Sequence, residues 1–143
     1  MADPIHDTLN ALLRGEISAI ETYQQAMAKI NGSGQAADLR GIHDEHIDAA
    51  NILRKHIHGY GGQPEKSSGA WGSFAKAVEG TAAVFGATAA LKALKEGEEQ
   101  GIADYESALN DENLPADCKR LIESTLLPQT RAHIPVLENM MAR

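Results

Sequence analysis

Apolar residues recur three and four positions apart through the first part of the chain, at Leu9, Leu12, Leu13, Ile20, Tyr23 and Met27. That spacing lines one face of a helix and predicts an amphipathic element. Asp3 before Pro4 is a start signal, since the aspartate can accept from free N–H groups and proline suits the first turn. "NGSG", Asn31 to Gly34, predicts the turn that ends it. A second stripe follows at Leu39, Ile42, His46, Ala50, Leu53 and Ile57, with Asp44, Asp48, Asn51 and Lys55 on the opposite face. "GYGGQP", Gly59 to Pro64, closes that helix. The next stretch, "EKSSGAWGS", reads as loop. Phe74, Val78 and Phe85 then predict a short helix that Gly80 and Gly86 weaken. A long helix is predicted from about Thr88 to about Asn110. "NDENLPAD" predicts a turn, with Pro115 placed to begin the last helix. The stripe there is Ile122, Leu126, His133, Leu137 and Met140. Pro128 and Pro135 fall inside it and predict kinks, on the face opposite His133. No segment alternates with period two. The pattern predicts an all-α fold of four main helices, in one domain over residues 1–143.

Two of these stripes match one another. "LLRGEISAIETYQQAM", Leu12 to Met27, lies without a gap on "LKEGEEQGIADYESAL", Leu94 to Leu109. Leu12 meets Leu94, Gly15 meets Gly97, Glu16 meets Glu98, Ile20 meets Ile102, Tyr23 meets Tyr105 and Ala26 meets Ala108. Each copy carries a glutamate in the middle of its apolar stripe.

Composition narrows the function classes. The chain has 13 Lys+Arg against 20 Asp+Glu, a net charge of −7. That argues against binding nucleic acid, which needs a basic surface, and against docking on anionic membrane lipid. Aromatic residues are only 4%, which suits close-packed helices better than sheets. Cys118 is the lone cysteine, so the sequence allows no internal disulfide and no thiol-rich metal site. The N-terminus lacks the apolar run of a secretion signal. The most apolar stretch, Ala75 to Leu94, is interrupted by Lys76, Glu79, Gly80, Gly86 and Lys92, which argues against a membrane span. A cytoplasmic protein is the expectation.

The candidate chemistry lies in the stripes. Glu16 falls between Leu12, Ile20, Tyr23 and Met27, and Glu98 has Leu94, Ile102, Tyr105 and Leu109 at the same offsets. A lone buried carboxylate is costly and is normally paired or neutralised. His46 centres the second stripe and His133 the fourth, each followed by Ile. The helices therefore point Glu, His, Glu and His inward. Two readings fit: a metal-ligand set, or two buried pairs, Glu16–His46 and Glu98–His133, that satisfy each other without metal.

The glycine–glutamate…tyrosine helix, followed by an inward histidine and then repeated, resembles the ferritin-like superfamily of bacterioferritins and rubrerythrins. "GEISAIETY" is especially similar to the first-helix motif of bacterioferritin. "GGQPEKSSGAWG" and "GEEQGIADYESAL" resemble a small, functionally uncharacterised bacterial ferritin-like group. The resemblance covers nearly the whole chain. It implies a four-helix bundle of two similar hairpins, joined by a long crossover that carries the short extra helix, and it allows a homodimer.

It also implies a di-iron carboxylate site, in which each hairpin gives a terminal Glu and a Glu-x-x-His whose glutamate bridges the metals. The terminal glutamates fall on Glu16 and Glu98, and the histidines on His46 and His133. The bridging positions hold His43 and Thr130 instead. Glu45 lies about a quarter turn off, and Asp44 points nearly away. The remaining set holds one metal more readily than two. Glu16, His43 and His46 make a two-histidine, one-carboxylate group suited to Fe(II), Mn or Zn; His43, about 60° from the stripe centre, also fits a boundary position. Tyr23 and Tyr105 match the tyrosine that neighbours the metals in the family, and core packing explains them equally. Trp71 reads as an anchor for the crossover, and His56 and His58 as solvated.

Three functions compete. The leading expectation is a ferritin-like protein with a reduced, histidine-containing site for a metal ion such as iron. The second is a scaffold or stress-response interaction protein that holds no metal. The third is a rubrerythrin-type oxidoreductase, against which the missing bridging carboxylates and the single cysteine both count.

Overall fold

In the computed structural model, residues 4–30, 33–68, 80 and 86–142 are described. The helix expected between Phe74 and Phe85, and Trp71, lie outside these residues apart from Gly80, which is helical. The described residues contain helices and connecting turns and no strand. Helix α1 spans Pro4–Lys29 and α2 spans Ser33–Gly59, so α2 starts inside the expected turn. Helix α3 spans Ala87–Leu109. The last stripe is carried by α4, Ala116–Leu121, a π-helical turn, Ile122–Leu126, and α5, Leu127–Ala142. No helix among the described residues is long and apolar enough to cross a membrane.

The boundaries follow from local chemistry. Gly86 has φ 88°, a backbone conformation that suits glycine, and α3 begins one residue later. Pro115 precedes α4 in extended conformation. The expected kink at Pro128 takes a specific form. Proline has no N–H to offer the carbonyl of Ser124 and its ring crowds that carbonyl. The helix widens just before it, and the Leu127 N–H reaches back to the Ile122 carbonyl. Pro135 sits within α5. Both prolines are exposed, on the face away from His133.

The stripes of α2 and of the last helical stretch are buried as the spacing predicts. Leu39, Ile42, His46, Ala50, Leu53 and Ile57 all face inward, while Asp44, Asp48, Asn51 and Lys55 are exposed. In α1, Ile17 and Ala26 are buried, whereas Ile20 and Met27 sit half-covered at its edge.

Two apolar clusters set the helix directions. One brings Leu9 and Leu13 of α1 together with Leu53 and Ile57 of α2, Ala108 of α3 and Ile122. The other joins Ala26 and Ile30 to Leu39 and Ile42, to Leu91 of α3 and to Leu137 and Met140. The start of α1 thus meets the ends of α2 and α3. Helix α1 is antiparallel to both, and α2 and α3 run parallel. A hydrogen bond from Thr8 to Asp111 (2.8 Å) ties the start of α1 to the far end of α3. Burying each large aliphatic side chain contributes about 1.5–3 kcal/mol.

Two successive helices that run parallel need a connection that returns along the bundle, and its described part does so. Tyr60 presents its carbonyl to His6 at 2.7 Å. Asn10 donates to the Gln63 carbonyl and accepts from the Glu65 N–H. Arg14 pairs with Glu65 at 3.2 Å, and Ser68 reaches Glu21 at 3.5 Å. Residues 60–68 therefore climb α1 in its own direction.

Candidate metal centre

Between the two apolar clusters lies a polar layer. Glu16, His46, Glu98 and His133 are each at most 5% exposed, and each comes from a different helix. The helical phase predicted from their stripes puts all four inward, and the opposed helix directions bring them to one level.

His46 stands at the middle. Its Nδ1 is 2.6 Å from Glu16 Oε2 and its Nε2 is 2.8 Å from Glu98 Oε2. His133 presents Nδ1 to Glu98 Oε1 at 2.9 Å. The two imidazoles lie 4.9 Å apart, edge to face. The tyrosines cross over between the matched helices. Tyr23 of α1 donates to Glu98 of α3 at 2.7 Å, and Tyr105 of α3 donates to Glu16 of α1 at 2.6 Å. Each tyrosine lies two turns beyond a glutamate of its own helix, so antiparallel packing lets each reach the other helix's glutamate.

The charges follow from these contacts. Burial pushes the His46 imidazolium toward neutrality, but Glu16 and Glu98 outweigh it and raise its pKa from 6.5 to about 10. Both of its ring nitrogens then donate. Burial also favours the neutral form of Glu98, yet His46 and His133 overcome that and lower it to about 2. Burial, reinforced by Glu98 for Tyr23 and by Glu16 for Tyr105, keeps both phenols well above their usual range.

The expected site residues separate into groups. His46, Glu98 and His133 each offer a ligand atom, and these atoms lie within 4.8 Å of one another. Two imidazoles and a carboxylate suit Fe(II), Mn or Zn. This trio draws on both hairpins, whereas the spacing pointed to Glu16, His43 and His46 within the first. Glu16 reaches the trio through His46. His43 is buried, with Nδ1 3.1 Å from Asp44 and no hydrogen-bond partner at Nε2. Thr130 turns its hydroxyl back to the Leu126 carbonyl of its own helical stretch at 2.7 Å.

Glu45 is the residue that helical phase passed over. Its Oε1 lies 2.7 Å from His133 Nε2, across from the other hairpin. Phase fixes where the Cβ points, but a glutamate side chain spans the quarter turn. Its side chain is 46% exposed, so the polar layer reaches solvent there.

A family model, a domain of unknown function designated DUF2383, matches residues 4–111. No curated protein and no solved structure matches the chain.

Proposed function

The chain belongs to the DUF2383 family, and we propose that its polar layer is a mononuclear metal site in a ferritin-like bundle. The observation that carries this is the gathering of His46, Glu98 and His133, all buried, within 4.8 Å of one another. His46 Nε2 and His133 Nδ1 both face the Glu98 carboxylate, and these three groups would hold the ion. The far nitrogen of each histidine already has a carboxylate beside it, Glu16 for His46 and Glu45 for His133. Such outer carboxylates hold the imidazole in the ligating tautomer. His43, with its unpartnered Nε2, is an auxiliary donor in this reading.

The ferritin-like part rests on two matched hairpins, on parallel α2 and α3 with residues 60–68 turning back along α1 between them, and on Glu16, His46, Glu98 and His133 pointing inward from four different helices. Iron is the metal the resemblance favours, with Zn and Mn compatible with the same donors. A bound ion would supply Lewis-acid or redox chemistry. A rubrerythrin-type di-iron oxidoreductase has less support, since His43 and Thr130 hold the bridging positions.

One observation favours the competing scaffold reading. All four oxygens of Glu16 and Glu98 already accept a hydrogen bond, so the layer is satisfied without metal. Titrating Co(II) or Zn(II) into protein purified without an affinity tag separates the two. The metal reading expects one equivalent in the wild type, loss in His46→Ala, His133→Ala and Glu98→Gln, and a smaller effect in His43→Ala. A wild type that takes up no metal means the layer is structural, and the scaffold reading replaces this one.

A further inference from the structure

Of the side chains hydrogen-bonded into the buried polar layer, Glu45 is the one that meets water among the described residues. Glu16, Tyr23, His46, Glu98, Tyr105 and His133 are each at most 5% exposed. Glu45, on α2, has Oε1 2.7 Å from His133 Nε2 on α5, yet its side chain is 46% exposed. Its other oxygen has no hydrogen-bond partner among the described residues. The His133 ring presents its second nitrogen, Nδ1, to Glu98 Oε1 at 2.9 Å. Solvent and the innermost carboxylate are therefore one carboxylate and one imidazole apart.

That placement bears on how a charged ligand reaches a dry layer. A divalent cation arrives hydrated, and stripping its water before other ligands replace it is very costly. The six buried groups cannot replace that water while the ion is still outside. A half-exposed carboxylate can, because a hard cation exchanges one water for an anionic oxygen and keeps the rest of its shell. We infer that Glu45 receives an incoming divalent cation between α2 and α5 and passes it alongside His133 to the buried trio, taking no place in the final ligand set. This rests on the metal reading and adds to it a route and a residue that controls rate.

The test separates that role from simple support of His133. Co(II) uptake by the tag-free full chain is followed by stopped-flow absorbance, and release is followed after adding excess chelator. Glu45→Gln keeps an acceptor for His133 but loses the charge. Its kon should fall about tenfold or more, since a unit charge a few ångströms from a divalent ion is worth at least that even at the dielectric of water. Release should slow as well, because the ion leaves by the path it entered, so Kd moves less than kon. Asp48→Asn removes an exposed charge one turn along α2 and should change kon by about twofold at most at about 0.15 M salt, where distant surface charges are screened. Circular dichroism confirms that each variant folds. A wild-type kon in Glu45→Gln means that Glu45 only holds His133, and an equal fall in Asp48→Asn means that only the general field acts; either result overturns the entry role and leaves the metal centre standing. A wild type that takes up no Co(II) at equilibrium overturns both.

Discussion

Tyr105 donates to Glu16 Oε1 at 2.6 Å, and it is the sole hydrogen-bond donor to that oxygen among the described residues. Its counterpart Tyr23 shares Glu98 Oε2 with His46. The two contacts look alike but are unequal. Tyr105→Phe strips a buried carboxylate oxygen of its donor, at about 1–3 kcal/mol. Tyr23→Phe leaves His46 in place and should cost less. Urea unfolding of the two variants gives the order, and equal losses would show that the tyrosines act by packing alone.

The polar layer makes stability depend on pH in a defined direction. The folded pKa of His46 is raised to about 10 from 6.5. Its contribution is therefore complete below about pH 6.5 and is lost as pH rises toward 10. Glu98 is lowered to about 2 from 4.5, so its contribution is complete above about pH 4.5 and is lost on acidification. The metal-free protein should be most stable between about pH 4.5 and 6.5. It should lose a few kcal/mol on the alkaline side. Urea midpoints measured with a chelator from pH 5 to 10 should decline in the wild type and stay flatter in His46→Gln.

Metal and proton compete for His46. Because that proton is held until about pH 10, metal affinity should keep rising with pH well beyond the range where an ordinary histidine has already lost its proton. Calorimetry in two buffers of different ionisation enthalpy should detect proton release on Zn(II) binding near pH 7. Affinity that levels off near pH 7 would mean that the ion does not displace the His46 proton.

Glu45 should tune binding without being a ligand. Glu45→Ala removes the carboxylate beside His133 Nε2 and should weaken Co(II) binding by about 10–100-fold. The side chain is half exposed, so the melting temperature should move little. Glu45→Gln, which keeps an acceptor oxygen, should recover part of the affinity.

The returning crossover depends on Gly62. A Cβ there would lie 2.8 Å from His6 Cδ2 and 3.0 Å from Ile57 Cγ2. Gly62→Ala must push aside the imidazole that holds the Tyr60 carbonyl, and should destabilise by about 1–3 kcal/mol. Gly15→Ala, with open space around it, should be neutral or stabilising in thermal melts.

What the sequence determined by itself was the inward face of each helix. The period of 3.6 residues settles which side chains share a face, and it put Glu16, His46, Glu98 and His133 on buried stripes before any fold was known. It also placed Pro128 and Pro135 on the exposed side of the last helix. Periodicity carries no information about which helix lies beside which, or how far a long side chain reaches around its own. The antiparallel run of α1 and α3 crossed the tyrosines onto each other's glutamates. The level at which the helices met joined His46 to Glu98 and His133, rather than to Glu16 and His43 alone. Glu45 entered because a flexible carboxylate can reach a quarter turn around its helix to a histidine of the other hairpin. Helical phase is local to a segment; pairing between segments is set by packing of the whole bundle, and only the tertiary structure decides it.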